Sequence, residues 1–178
     1  MNRMPVFSRH KPEMRLLVIV WLMSAAVSIG VAEPSIEEKI KSIRAQYAQI
    51  EKGLKDCRLV KRELSGESAE GGELKGYFKD RSVEKLSATF FGETGKALEE
   101  YYFWNSELIF VLRVESHYTK PMSGVVKTKT EERFYFAEGR LIRWLDAEKK
   151  DVTAGPEKST RERDFLADAK KYSALVSQ

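Results

Sequence analysis

Cysteine and histidine are scarce: the 178 residues hold one cysteine, Cys57, and two histidines, His10 and His117. One thiol cannot close an internal disulfide, and two imidazoles cannot furnish a multi-histidine metal centre. A disulfide scaffold and a cysteine-rich zinc site are therefore excluded, and no metal or cofactor is expected. Nucleophile-elbow, P-loop, HExxH and calcium-loop spacings are all missing. So are low-complexity stretches and any linker long enough to divide the chain after residue 32. Long hydrophobic runs are limited to one, the 17 uncharged residues from Leu16 to Ala32, which excludes a polytopic membrane protein. With 42% hydrophobic and 33% charged residues, the remainder suits one folded domain.

Charge of one sign is also lacking once the N-terminus is set aside. The formal charge is +4, but Arg3, Arg9, Lys11 and Arg15 face only Glu13 among the first 32 residues, leaving +1 for the rest. A basic start, an uncharged core and the small residues Gly30 and Ala32 have the three-part pattern of a secretory signal peptide cut after Ala32. Left uncut, the same segment would anchor the chain in the membrane. The basic side stays in the cytoplasm in both cases, which sends residues 33–178 to the periplasm or the cell exterior as a single domain. Cys57 there has no partner in its own chain, and the reading favours a buried small hydrophobe over a bond to another molecule.

What is present follows the order helix, strands, helix. Ile36, Ile40, Ile43, Tyr47, Ile50 and Leu54 form one helical stripe. Ser35 and Glu38 have capping-box spacing at its start. The stripe packs on its own sheet or, as the alternative, forms the seam of a homodimer; a monomer is favoured. Alternation with period two then predicts strands near 58–64, 73–79, 83–91, 97–104, 108–118, 125–136 and 141–146. Leu86, Ala88 and Phe90 face one way and Lys85, Ser87 and Thr89 the other, the pattern of a sheet buried on one side.

Two hairpins look alike at an offset of 33 residues: Glu99–Phe103 followed by Leu108-Ile109, and Glu132–Phe136 followed by Leu141-Ile142. For the second, a three-residue turn over Ala137-Glu138-Gly139 is predicted, with Phe134 opposite Ile142. Beyond Gly155-Pro156 helical spacing returns at Phe165, Ala169, Tyr172 and Val176, with Ser159 and Glu162 spaced as a second capping box. The fold class is α+β: an N-terminal amphipathic helix, a curved antiparallel meander of six to seven strands, and a C-terminal helix.

Chemistry is harder to find. His117 could serve a hydrolase-like site only with a nucleophile and an acid from other strands, since Glu115 and Ser116 point to opposite faces. The paired carboxylates Glu37-Glu38, Glu99-Glu100 and Glu131-Glu132 point apart for the same reason and are better read as helix-end and cross-strand charges. Lys127, Lys129 and Arg133 share a face with Glu131, too mixed a charge for nucleic acid. The unusual quantity is aromatic density, with fourteen aromatics from Tyr77 to Trp144. Along Tyr101-Tyr102-Phe103-Trp104, alternate rings face opposite sides of the sheet. They either lie under the two terminal helices or leave an aromatic face or sheet–helix cleft for an apolar ligand, a peptide or a protein partner. On the second reading the chain is a non-enzymatic exported binding module, with Tyr101, Phe103, Trp104 and Trp144 as contact residues.

Overall fold

Ser35 stops the extended chain and starts the first helix. Its hydroxyl accepts from the Glu38 backbone N–H, while the Glu38 carboxylate accepts from the Ser35 N–H at 2.8 Å. The computed structural model describes Met1, residues 33–66 and residues 68–178; the predicted leader lies outside the described residues. The chain divides into two units, Met1–Glu33 and Pro34–Gln178, and the elements among the described residues belong to the second. Among the described residues no helix is long and apolar enough to cross a membrane.

The fold is α+β. Helix α1 (Ile36–Gly53) leads through a 3₁₀ turn into strands β1 (Arg58–Leu64), β2 (Gly72–Lys79), β3 (Ser82–Gly92), β4 (Gly95–Trp104), β5 (Glu107–Tyr118), β6 (Val126–Ala137) and β7 (Arg140–Leu145), followed by helix α2 (Pro156–Ser177). Each strand pairs antiparallel with its sequence neighbour, giving a seven-stranded meander in the order β1 to β7. The two outer edges differ. The loop after β7 folds back on its edge, with Val152 N–H donating to Trp144 O at 2.8 Å. Along β1, Arg58, Lys61 and Arg62 are exposed, a charged edge that resists pairing with another sheet.

Two hydrophobic layers follow from the alternation. Leu74, Phe78, Leu86, Tyr101, Phe103, Phe134, Phe136 and Trp144 pack with Phe165, Ala169, Tyr172 and Val176 of α2. Tyr102, Ile109, Phe110 and Tyr135 pack with Ile40, Ile43 and Ile50 of α1 on the opposite face. The sheet is thus covered on both sides, which corrects the one-sided pattern predicted for β3: Lys85 is 6% exposed and Ser87 9% exposed on the α1 side. The helix stripe from Ile36 to Leu54 is spent on its own sheet, apart from Ile36, which is exposed.

The hairpin copies are real in three dimensions, and there are three of them. Tyr77-Phe78, Tyr102-Phe103 and Tyr135-Phe136 each precede a two-residue turn, and each pairing shifts register between the Tyr and the Phe. The bulge leaves Glu84, Ile109 and Ile142 as the extra residues. Ordinary alternation turns Tyr and Phe to opposite faces, and the inserted residue on the partner strand brings two consecutive residues to one face, as with Ile109 and Phe110 in the α1 layer. The predicted turn at 137–139 is corrected accordingly. Ala137 pairs with Arg140, Phe136 with Leu141, and Phe134 with Trp144 rather than Ile142. Glu138 and Gly139 are both left-handed, at φ 53° and 71°, the backbone that matches strand twist in a two-residue turn. Asn105 and Ser106 do the same between β4 and β5.

The second capping box does not form. Pro156 already has the φ of a first helical residue, so α2 starts four residues early, capped at Gly155 rather than Ser159, and the Ser159 N–H bonds Gly155 O. Glu162 instead accepts from the Leu141 N–H at 2.7 Å and from Arg140 at 3.0 Å, tying α2 to β7.

At the other end α2 approaches the sheet over Gly76. A Cβ placed there would lie 2.9 Å from the Val176 Cβ. Gly76→Ala is therefore expected to destabilise by about 2 kcal/mol in urea unfolding through overpacking. Combining it with Val176→Ala should cost less than the sum of the two single changes, and strict additivity would show that the contact is not made.

Candidate functional site

The predicted contact residues separate by depth. Tyr101 is 0% exposed, Phe103 8% and Trp144 4%, all within the layer under α2. Tyr101 stacks edge-on against Phe165 and Tyr172, and Trp144 donates its indole N–H to Glu132 at 3.0 Å. Trp104 is different: it is half-buried and packs at the margin of the α1 layer.

Beneath α2 the polar groups are inward-facing. Tyr101 donates to Glu99 at 2.6 Å, and Arg113 spans Glu99, Glu115 and Glu132 at 2.5–3.8 Å. Burial raises the Glu99 carboxyl above its ordinary range against the opposing pull of Tyr101 and Arg113, with Asp168 adding to the rise. Burial likewise holds the Tyr101 hydroxyl protonated.

Helix α1 covers its face less completely. Its first turns are tied to the β6–β7 hairpin, with Arg143 bonding Glu37 and Lys39 bonding Glu138 at 3.0 Å. Its last turns are tied to β3 and β4. There Lys85 Nζ lies 2.8 Å from both Glu51 and Glu100, and Tyr102 donates to the same two carboxylates. Pinned at both ends, α1 crosses the sheet obliquely and leaves concave ground on each flank.

Toward the hairpin tips there are two concavities, both bordered by Trp104 and Asn105. One, of about 560 Å³, also takes in Ile50, Cys57, Asp80 and Glu84. The other, of about 520 Å³, takes in Ile43, Gln46, Ile109 and Phe136. Their size falls in the range of small-ligand sites. On the opposite flank a groove of about 260 Å³ runs between Ile43, Arg44 and Tyr47 of α1 and Phe110, Leu112 and Tyr135 of the sheet.

In comparison with known proteins, the chain matches no family model, no curated protein and no solved structure. The case for a site therefore rests on its own geometry.

Cys57 is half-buried at the end of the 3₁₀ turn, its thiol 3.7 Å from Gly53 O. Burial and then the Glu84 carboxylate push the thiol up, so it stays protonated at neutral pH. His117 lies at the far end of β5 and is exposed, and among the described residues its ring makes no hydrogen bond or ion pair. The acid on its strand face, Glu115, is engaged by Arg113 instead. Sequence reasoning missed Arg44, Tyr47 and Asn105, because their importance depends on where α1 crosses the sheet. The left-handed Asn105-Ser106 turn was the one available signal for the tip beside Trp104.

Proposed function

We propose that the protein is exported and acts as a non-enzymatic binding module, taking an apolar ligand or a peptide chain in the clefts beside α1. The asymmetry of the two faces carries this reading. The α2 layer buries its aromatics apart from Phe90 at the hairpin end of β3, whereas α1 leaves Trp104 and Tyr47 half-exposed beside three concavities. The groove beside Tyr47, walled by Ile43, Phe110, Leu112 and Tyr135, has the mainly apolar lining ordinary in small-ligand sites, whereas the concavity beside Cys57 is lined mostly by polar and charged side chains. Trp104 supplies a rigid aromatic edge, and Asn105 beside it supplies hydrogen-bonding groups.

Expression of the full chain, purification from the exported fraction and native mass spectrometry test the proposal. The expected result is a protein–ligand mass whose excess disappears on denaturation and is reduced in Trp104→Ala or Tyr47→Ala. A bare chain in the native spectrum that also takes up no added apolar ligand would overturn it.

A further inference from the structure

We infer that the groove between α1 and strands β5 and β6 binds a small carboxylate bearing one apolar tail, with the carboxylate held by Arg44. The inference rests on the binding reading above and names the ligand class for one of its clefts. At about 260 Å³ the groove is just below the usual small-molecule range of roughly 300–1,000 Å³, so a single chain or ring fits and a two-chain lipid does not.

Its walls are already set. Tyr47 stacks edge-on against Tyr102 at 4.8 Å and Phe110 at 5.4 Å, and Phe110 lies 5.1 Å from Tyr135. A tail entering there meets rings fixed by one another, so little side-chain freedom is lost on binding.

Charge selects the head group. Arg133 is committed to Glu131, at 2.7 Å, and Glu131 also takes Lys149 at 3.3 Å. Arg44, exposed at the lip, makes no hydrogen bond or ion pair among the described residues. Its guanidinium lies 5.7 Å from the centre of the Tyr135 ring. Glu37 feels Arg44 only weakly through space and is hydrogen-bonded by Arg143. Counting Arg44, Arg133 and Lys149 against Glu131 and Glu37, the mouth carries one excess positive charge. An uncommitted guanidinium fork beside an apolar floor matches the two oxygens of one carboxylate. An ammonium head group would meet that excess charge, and Glu131, the carboxylate in the groove lining, is already paired with Arg133 and Lys149.

Octanoate, octanol and octylamine share one tail and differ in head group, and each is titrated into the purified full chain by calorimetry and amide chemical shifts. Octanoate is expected to bind about tenfold more tightly than octanol, a charge-assisted hydrogen-bond difference, and octylamine more weakly still. Shifts should centre on Arg44–Tyr47 and on Phe110–Leu112. Arg44→Gln should bring octanoate to the affinity of octanol, Arg44→Lys should restore part of the difference, and Arg58→Gln on the distant β1 edge should leave it intact. Equal binding of octanoate and octanol, preference for octylamine, or an unaltered affinity in Arg44→Gln would each overturn the inference. If none of the three binds while a molecule co-purifies in the native spectrum, the carboxylate assignment falls and the binding module stands. If none binds and the native spectrum is bare, both fall.

Discussion

Phe134→Ala and Trp144→Ala are each expected to lower the unfolding free energy by about 4 kcal/mol, the range for large aromatic truncations in a core. Phe134 is fully buried, 4.6 Å from the Phe165 ring and 5.3 Å from the Trp144 ring. Its loss opens a void under α2 that α2 cannot close without leaving Glu162 and the Leu141 N–H unpaired. Trp144→Ala additionally removes the donor to Glu132 and the ring 6.0 Å beneath Arg161. Trp104→Ala is expected to cost only about 1 kcal/mol, because a half-exposed ring gives up little burial. Urea unfolding read by far-ultraviolet circular dichroism measures all three. A Trp144→Ala midpoint near that of the parent would show that Trp144 contributes little packing and would return it to the contact residues.

The difference between Trp144 and Trp104 also marks how far the sequence could be read. Period-two and period-3.6 patterns located the two α-helices and seven strands among the described residues, because alternation and stripe record which side of each element avoids water. They also put Tyr102 and Trp104 opposite Tyr101 and Phe103. What they could not show is which helix covers which face, and how fully. Lys85 looks solvent-facing in sequence and becomes buried only because Glu51, 34 residues earlier, descends on it from α1. Bulges escape a period-two reading because one inserted residue leaves the local composition unchanged. The true register of β6 and β7, and the third hairpin copy at Tyr77-Phe78, were hidden for that reason. In that copy Glu84 stands where the other two have Ile109 and Ile142, which masks the likeness. The groove lip was illegible on the same grounds, since Arg44 and Tyr135 are brought together only by the packing of α1.

Lys85→Met is expected to destabilise the protein by about 3 kcal/mol, since removing one partner of a buried ion pair leaves the other charges without a counterion. Lys85 is the common cation of Glu51 and Glu100, with side-chain exposures of 8%, 36% and 18% respectively. The partial exposure of Glu51 sets the effect at the lower end of the range for buried pairs. Adding Glu100→Leu to Lys85→Met should recover much of the loss, because Tyr102 still has Glu51 as its acceptor. The pH dependence has a definite sign on each side. Burial pushes the Lys85 ammonium down, but Glu100 and Glu51 outweigh it and leave the group raised; burial, then Glu100, raises the Tyr102 hydroxyl far above its usual range. Groups raised on folding contribute stability below their unfolded pKa, here about 10, which is lost as the pH climbs through the folded values. Glu51 is the opposite case: burial raises it, but the hydrogen bonds from Lys85 and Tyr102 prevail and leave it lowered. Its contribution is present above about pH 4.3 and is lost on further acidification. Hydrogen-exchange protection along α1, corrected for the intrinsic rate, should therefore fall below about pH 4 and above about pH 10 in the parent, while Lys85→Met should be less protected throughout and retain only the part of the alkaline step that belongs to Tyr102. Protection of α1 in Lys85→Met equal to the parent's at neutral pH would show that Lys85 does not anchor the helix over its clefts.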